Sequence, residues 1–269
     1  MLDGITPVRF TAMIILSDAN HIPLKDKSVD LIITSPPYAN MRKKLYGGIA
    51  PDKYAMWFKP IADEIMRVLK TDGSFILNIK ENASNEERHT YVYELVLSMR
   101  QWGWLWIEEY IWYKRSGYPG RFSNRFRDAF ERVYHFALSK DMRFYRDVVK
   151  IDCLPIKNIA TYSSKNGNNY IIKNIDAFKK KTKYPTNVLD IPVGDTTYAK
   201  HHPATFPIKL PKFFINLLTI EGDIVLDPFA GAGTAVSAAR MMNRQGIGLE
   251  IMPKYVSAGN KLLPLPLLI

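Results

Sequence analysis

Cysteine is nearly missing from this chain. Cys153 is the only one in 269 residues, so neither a disulfide framework nor a thiolate metal site can form within one copy. Histidine is scarce too: there are five, and only His201 and His202 are adjacent, which leaves no ligand spacing for zinc. Long apolar runs are absent. Hydrophobic residues make up 47% of the chain, yet no uninterrupted stretch approaches the roughly 20 residues that cross a bilayer. The opening "MLDGITPVRF" lacks the basic-then-apolar layout of a secretory leader. These absences predict a cytoplasmic, reducing setting, with no metal and no membrane.

Negative charge is also in short supply. Twenty-six acidic residues face 37 basic ones, a balance of +11. An excess of that size points to a polyanionic partner, most commonly nucleic acid, against the plainer reading of a merely basic soluble protein.

What is present is an alternation of strand and helix patterns. Strands are predicted at 10–16, 29–34, 74–80, 105–114, 132–138, 223–227 and 246–250. Helices are predicted at 54–70, 91–102, 207–219, 234–244 and 253–263, with Thr71-Asp72-Gly73 ending the first. The expected fold class is α/β, a doubly wound, mostly parallel sheet covered on both faces. Residues 139–196 break the pattern with "SSKNGNN" and "KKKTK", and read as an inserted region outside the sheet.

Two stretches carry chemistry. "VLDPFAGAGTAV" (225–236) is strand, glycine-rich turn and helix start. Glycines at 231 and 233 permit positive φ and close backbone approach to a ligand. No Gly-Lys-Ser/Thr follows, so a P-loop is excluded. A dinucleotide site and an S-adenosylmethionine (AdoMet) site both remain, with Glu250 suitably spaced for ribose hydroxyls. Asp227 favours AdoMet, because a carboxylate there repels a pyrophosphate but attracts the ammonium of a methionine. The second stretch, "TSPPY" (34–38), ends an apolar strand in two prolines. Pro37 has no N–H, so the Pro36 carbonyl is an uncontested acceptor. Ser35 adds a hydroxyl and Tyr38 a flat face, a combination suited to an exocyclic amino group on a stacked base. The bland alternative is a tight turn with a packed tyrosine.

"TSPPY" followed much later by "DPFAGAGT" resembles the catalytic and AdoMet-binding motifs of bacterial DNA amino-methyltransferases, in the order of their circularly permuted β class. "YPTNVLDIP" (184–192), "HPATFPIKLPKFFI" (202–215) and "ERVYHFALSK" (131–140) extend the likeness to most of the chain outside 141–183. The resemblance implies a methyltransferase fold with residues 1–138 as its catalytic part. It implies 139–196 as target recognition and 197–269 as the AdoMet-binding part. It implies AdoMet as cofactor, duplex DNA as substrate, base flipping, and a restriction–modification setting with a possible cognate endonuclease. Catalytic roles fall to Ser35, Pro36, Pro37 and Tyr38. Cofactor roles fall to Asp18 beside the adenine, to Thr205 and Phe206, to Asp227, Pro228, Phe229, Gly231, Gly233 and Thr234 around the methionine, and to Glu250 at the ribose. Thr205 stands where the family often has proline. A serine at position 35 goes mostly with cytosine N4 in this family, and an aspartate with adenine N6. Cytosine N4 is therefore expected, with adenine N6 and an inert AdoMet- and DNA-binding protein as alternatives. "KRSGYPGRFSNRFR" (114–127) interleaves cations with aromatics, so Arg115, Arg121, Arg125 and Arg127 are expected at DNA rather than on a merely solvated loop.

Overall fold

The computed structural model of the chain describes residues 11–41, 48–81, 83–84, 87–115, 124–152, 162–163, 169–170, 182–193 and 206–263. Its main elements are β1 (Ala12–Leu16), β2 (Val29–Thr34), α1 (Tyr54–Val68), β3 (Leu69–Ile79), α2 (Tyr91–Gln101), β4 (Leu105–Tyr113), β5 (Phe130–Ala137), β6 (Val188–Asp190), α3 (Lys209–Leu218), β7 (Ile224–Asp227), α4 (Thr234–Met241), β8 (Gln245–Glu250) and α5 (Pro253–Leu262). The eight strands form one sheet in the order β1-β8-β7-β2-β3-β5-β4-β6. β5 runs antiparallel to both its neighbours, and the other pairings are parallel.

β2 is buried along its whole length, as an apolar β-branched run in the middle of a covered sheet must be. Its alternate side chains serve two cores. Ile32, with Phe75 and Leu77 of β3, packs under α1 and α2 against Phe58, Ile65 and Leu95. Leu31 and Ile33, with Ile76 and Val225, pack on the other face against Phe214 of α3 and Ala235 and Ala239 of α4. α4 lies directly on β8. A Cβ at Gly246 would sit 2.5 Å from the Val236 carbonyl oxygen, and one at Gly248 would sit 2.6 Å from the Ala230 Cβ. Since backbone cannot move aside as a side-chain end can, Gly246→Ala should destabilise the protein by about 2 kcal/mol or more. Urea unfolding should show a lower midpoint at unchanged slope.

Three expectations change. The first helix stops at Val68 instead of Thr71, because Lys27 and Ser28 donate their amides to the Arg67 and Val68 carbonyls. β3 then starts at once, pairing Leu69 with Val29, and the register shifts between Val29 and Leu31. Thr71-Asp72-Gly73 thus lies inside a strand, with Gly73 where a Cβ would lie 2.8 Å from the Asp30 carbonyl oxygen.

The second change concerns 139–196, which is not wholly outside the sheet. Val188–Asp190 pairs with Ile111–Tyr113 as the edge strand β6, and the Trp112 indole N–H donates to the Ile191 carbonyl at 2.8 Å. Three residues before a proline are too few to show a period.

Third, the start of that segment is bolted to the sheet. Arg143 reaches Asp30 at 2.5 Å, Asp223 at 2.8 Å and Asp72 at 3.3 Å. The Tyr145 amide donates to the Leu217 carbonyl. Burial alone would raise the Asp30 pKa, but hydrogen bonds from Lys70, the Ile224 amide and Arg143 outweigh it and hold the carboxyl below its usual value. Elsewhere in the segment, Ile151–Asp152 pairs antiparallel with Thr182–Lys183, and Tyr162–Ser163 with Asn169–Tyr170. No helix among the described residues is long and apolar enough to cross a membrane.

Candidate active site

β1, β8, β7 and β2 are consecutive in the sheet and parallel. Their carboxyl ends therefore line up Asp18, Glu250, Asp227 and Ser35 along one edge. Leu16 pairs with Glu250, Asp227 with Gly248, and Leu226 with Ile32. From β1 to β2 is three strand spacings, about 14 Å, a span suited to an extended nucleoside–amino-acid conjugate. The chain leaves β2 toward β3 on one side and leaves β7 toward β8 on the other. This is the topological switch point where open α/β sheets bind ligands. At its centre the Thr34 hydroxyl donates to Asp227 Oδ1 at 2.6 Å. The two motifs, nearly 200 residues apart, are thus joined by a buried hydrogen bond.

The cofactor side is built from the glycine loop. Gly231 and Gly233 have φ of 52° and 84°, and Gly233 caps the start of α4. Asp227 is 3% exposed and accepts from Thr34 and, at 3.0 Å, from the Phe229 amide. Burial pushes its pKa up to about 7, against the lowering effect of those two bonds, and the nearby Glu250 charge adds to the rise. Glu250, also buried, accepts from the Gly231 amide at 3.0 Å and the Met252 amide at 2.8 Å. Burial again prevails over those bonds and raises its pKa. No described cation faces either carboxylate in a hydrogen bond or ion pair. Two buried carboxylates on a glycine cradle fit a ligand with a positive charge at one end and hydroxyls toward the other. Asp18 is exposed, and its Oδ1 accepts from the Asn20 amide and side chain at 2.9 and 2.8 Å.

The proline tip is held by its neighbours. Pro36 is buried, and no described residue donates to its carbonyl. The Pro37 carbonyl is taken, because the Tyr54 hydroxyl of α1 donates to it at 2.8 Å. One turn along α1, the Trp57 ring lies 6.1 Å from the Phe229 ring and 5.1 Å from the Tyr54 ring. α1 therefore touches both motif loops. The Tyr38 ring is half-buried and pinned at its hydroxyl, which lies 3.2 Å from Ser35 Oγ, 2.9 Å from Glu131 Oε2 and 3.4 Å from Asn78 Oδ1. Burial, with the Glu131 charge, raises its phenol pKa well above the usual value, so Tyr38 is a hydroxyl at any ordinary pH. Glu131 in turn accepts from Lys114 Nζ at 2.5 Å.

Among the expected site residues, Ser35, Pro36, Tyr38, Asp227, Pro228, Phe229, Gly231, Gly233, Thr234, Glu250 and Asp18 thus share one edge. Phe206 packs instead against the core beneath α3, with no described contact to the strand tips. Thr205 and Arg121 lie outside the described residues, as does the lysine run at 179–181. Arg115 makes an exposed, two-pronged pair with Asp190, and Arg125 faces Asp128 at 3.6 Å. Arg127 is exposed beside Phe126, which is 95% exposed. Thr34, Tyr54, Trp57, Asn78, Lys114 and Glu131 escaped sequence reasoning. Only Thr34 stood inside a quoted motif; the rest sit in ordinary strand or helix patterns. Among the described residues no cluster of three or more acidic, histidine or cysteine side chains could hold a metal.

Comparison with known proteins agrees with this geometry. The family model described as DNA methylase matches residues 29–261. The type II methyltransferase M.PvuII of Proteus hauseri is 29% identical over 262 residues, covering 87% of this chain and 77% of that one. The solved PvuII DNA methyltransferase, described as cytosine-N4-specific, superimposes with a TM-score of 0.74 at 26% identity, covering 96% of this chain and 89% of that one. The DNA adenine methyltransferase YhdJ of Escherichia coli K12 is 29% identical over 273 residues, covering 96% and 86%. A DNA modification methylase of Thermus thermophilus, crystallised with S-adenosyl-L-methionine, shares the fold at a TM-score of 0.63 and 18% identity, covering 95% and 96%. A match across most of the chain, over a sheet that joins both motifs at one edge, makes this protein a member of the DNA methylase family.

Proposed function

We propose that the protein transfers a methyl group from AdoMet to the N4 amino group of a cytosine rotated out of duplex DNA. The observation that carries this reading is the Thr34–Asp227 hydrogen bond, which sets a cation-seeking carboxylate beside an amine-accepting corner. AdoMet supplies a methyl group made electrophilic by its sulfonium. Asp227 would hold the ammonium of the methionine end, the amides opening α4 its carboxylate, and Glu250 the ribose hydroxyls through lone pairs its amide partners leave unused. On the other side, the Pro36 carbonyl and Ser35 Oγ would accept the two amino hydrogens, while Tyr38 offers its ring face to the base. An amino lone pair delocalised into the ring is a poor nucleophile. Accepting both hydrogens favours a pyramidal nitrogen with its lone pair aimed at the methyl carbon. The nitrogen–carbon bond forms as the carbon–sulfur bond breaks, and the nitrogen then sheds a proton. Catalysis is mostly positioning. Extruding the base costs a few kcal/mol, which contacts along the DNA repay.

Adenine N6 is the second reading, favoured by the similarity to YhdJ, since adenine places the same amino group beside a ring nitrogen. Target recognition we assign to the segment between Tyr145 and β6, with Phe126, Arg127 and Arg115 facing the duplex and a cognate endonuclease sharing the site. The working compartment would be the cytoplasm. Host DNA exposed to the protein, digested to nucleosides and analysed by mass spectrometry, should contain N4-methylcytosine. N6-methyladenine would select the second reading, and neither product would reject both. Sequencing the same DNA for modified bases gives the motif.

A further inference from the structure

We propose that Glu131 sets the direction of the hydrogen bonds at the proline tip and so makes the site select a base bearing an amino group over one bearing a carbonyl. The inference rests on the amino-transfer reading above. Hydroxyls can donate or accept, so Ser35 and Tyr38 do not by themselves dictate which kind of edge they greet. Glu131 removes that freedom. It opens β5 opposite Trp112, its side chain is 12% exposed, and a carboxylate ion-paired with Lys114 has no hydrogen to give. The Tyr38 hydroxyl, 2.9 Å away, must therefore donate to it.

Asn78 enforces the same direction independently. Its Nδ2 donates to Glu131 Oε2 at 3.3 Å and to the Arg132 carbonyl at 3.2 Å, which turns Oδ1, another acceptor, toward Tyr38 at 3.4 Å. With its hydrogen spent on that side, the Tyr38 oxygen can only accept from Ser35 at 3.2 Å. Ser35 has then spent its hydrogen too, and presents lone pairs to the incoming base. Beside them the Pro36 carbonyl is also an acceptor. The corner is acceptor-only: it welcomes the N4 amino group of cytosine and repels the O4 of uracil or thymine. Glu131 is a positioning residue here, acting on the base through Tyr38 and Ser35. Lys114, 4.2 Å from the Trp112 ring centre, holds Glu131 in place.

The test uses the full chain and a duplex bearing the motif it methylates, with cytosine or uracil at the target position opposite an abasic site, so that pairing costs are equal. The wild type should bind the cytosine duplex about tenfold or more tightly. In Glu131→Gln an amide can donate to Tyr38, both hydroxyls can reverse, and the preference should shrink to about threefold or less, with AdoMet affinity unchanged. Glu131→Asp should restore it. Tyr38→Phe breaks the chain of bonds at its middle and should shrink the preference likewise, which keeps the test open should the glutamine variant fold poorly. A full preference retained in Glu131→Gln or in Tyr38→Phe overturns the proposal. If the wild type itself shows no preference, the amino-accepting corner fails, and the proposed function with it.

Discussion

Asp227→Asn should weaken AdoMet binding by about 100-fold or more, yet make the ligand-free protein more stable above neutral pH. Both effects follow from the buried carboxyl whose pKa burial pushes up to about 7. A raised carboxyl pKa favours the folded state while the group can keep its proton. That contribution is complete below the ordinary value of 3.8 and is lost as pH rises through about 7. Above both values the gap corresponds to about 4 kcal/mol of destabilisation, an upper bound, since the site relaxes. Asparagine keeps the acceptor for Thr34 and the Phe229 amide without the charge. The melting-temperature difference between variant and wild type should therefore be near zero at pH 5 and favour the variant by several degrees at pH 8. Binding has the opposite sign, because an ammonium beside Asp227 rewards ionisation. AdoMet affinity of the wild type should climb up to tenfold per pH unit below about 7 and level off above it, with a proton released on binding. Calorimetry across pH 5 to 8 reads all of this. A melting difference that does not change with pH would remove the carboxyl from the account.

Tyr38→Ala should cut turnover by about 100-fold or more while leaving AdoMet affinity within about threefold. The ring is the aromatic face that the tip offers, and stacking a base is worth about 1–3 kcal/mol. Its hydroxyl also ties Ser35 to Glu131, so alanine removes both the platform and the bond network. Phenylalanine keeps the platform and should lose about tenfold. The loss should fall on kcat, because the ring aligns the nitrogen with the methyl group. Steady-state kinetics on the motif-bearing duplex, with AdoMet titrated separately, distinguish these outcomes. A loss confined to AdoMet binding would make Tyr38 a mere support for the cofactor loop.

Much of this site could be read before the fold was known, because its two motifs are local. Ser35-Pro36-Pro37-Tyr38 constrains its own backbone, and Gly231 and Gly233 announce positive φ by being glycine. What binds the motifs together is set by strand order, which no short window contains. Thr34 meets Asp227 only because β2 lies beside β7. Glu131 meets Tyr38 only because β5 runs antiparallel beside β3, which brings its first residues to the same edge. Tyr54 and Trp57 read as core residues of an amphipathic helix, and Tyr54 is one; its ring is buried while its hydroxyl does the positioning. Arg115 was singled out for its charge alone, and its exposed partner Asp190 belongs to a strand too short to foresee. An exposed pair of that kind contributes little to stability and can be traded for a phosphate.

Arg143 has a practical corollary for anyone wishing to redirect the protein to a new DNA word. It clamps the beginning of the specificity-bearing insert to Asp30 and Asp223, at the floor of the two strands whose tips do the chemistry. A chimaera cut at residue 139 would tear out that clamp and strip a buried aspartate of one of its cations. The seams for grafting a foreign reader belong after Asp152 and before Asn187, which leaves both the clamp and the β6 edge in the recipient scaffold.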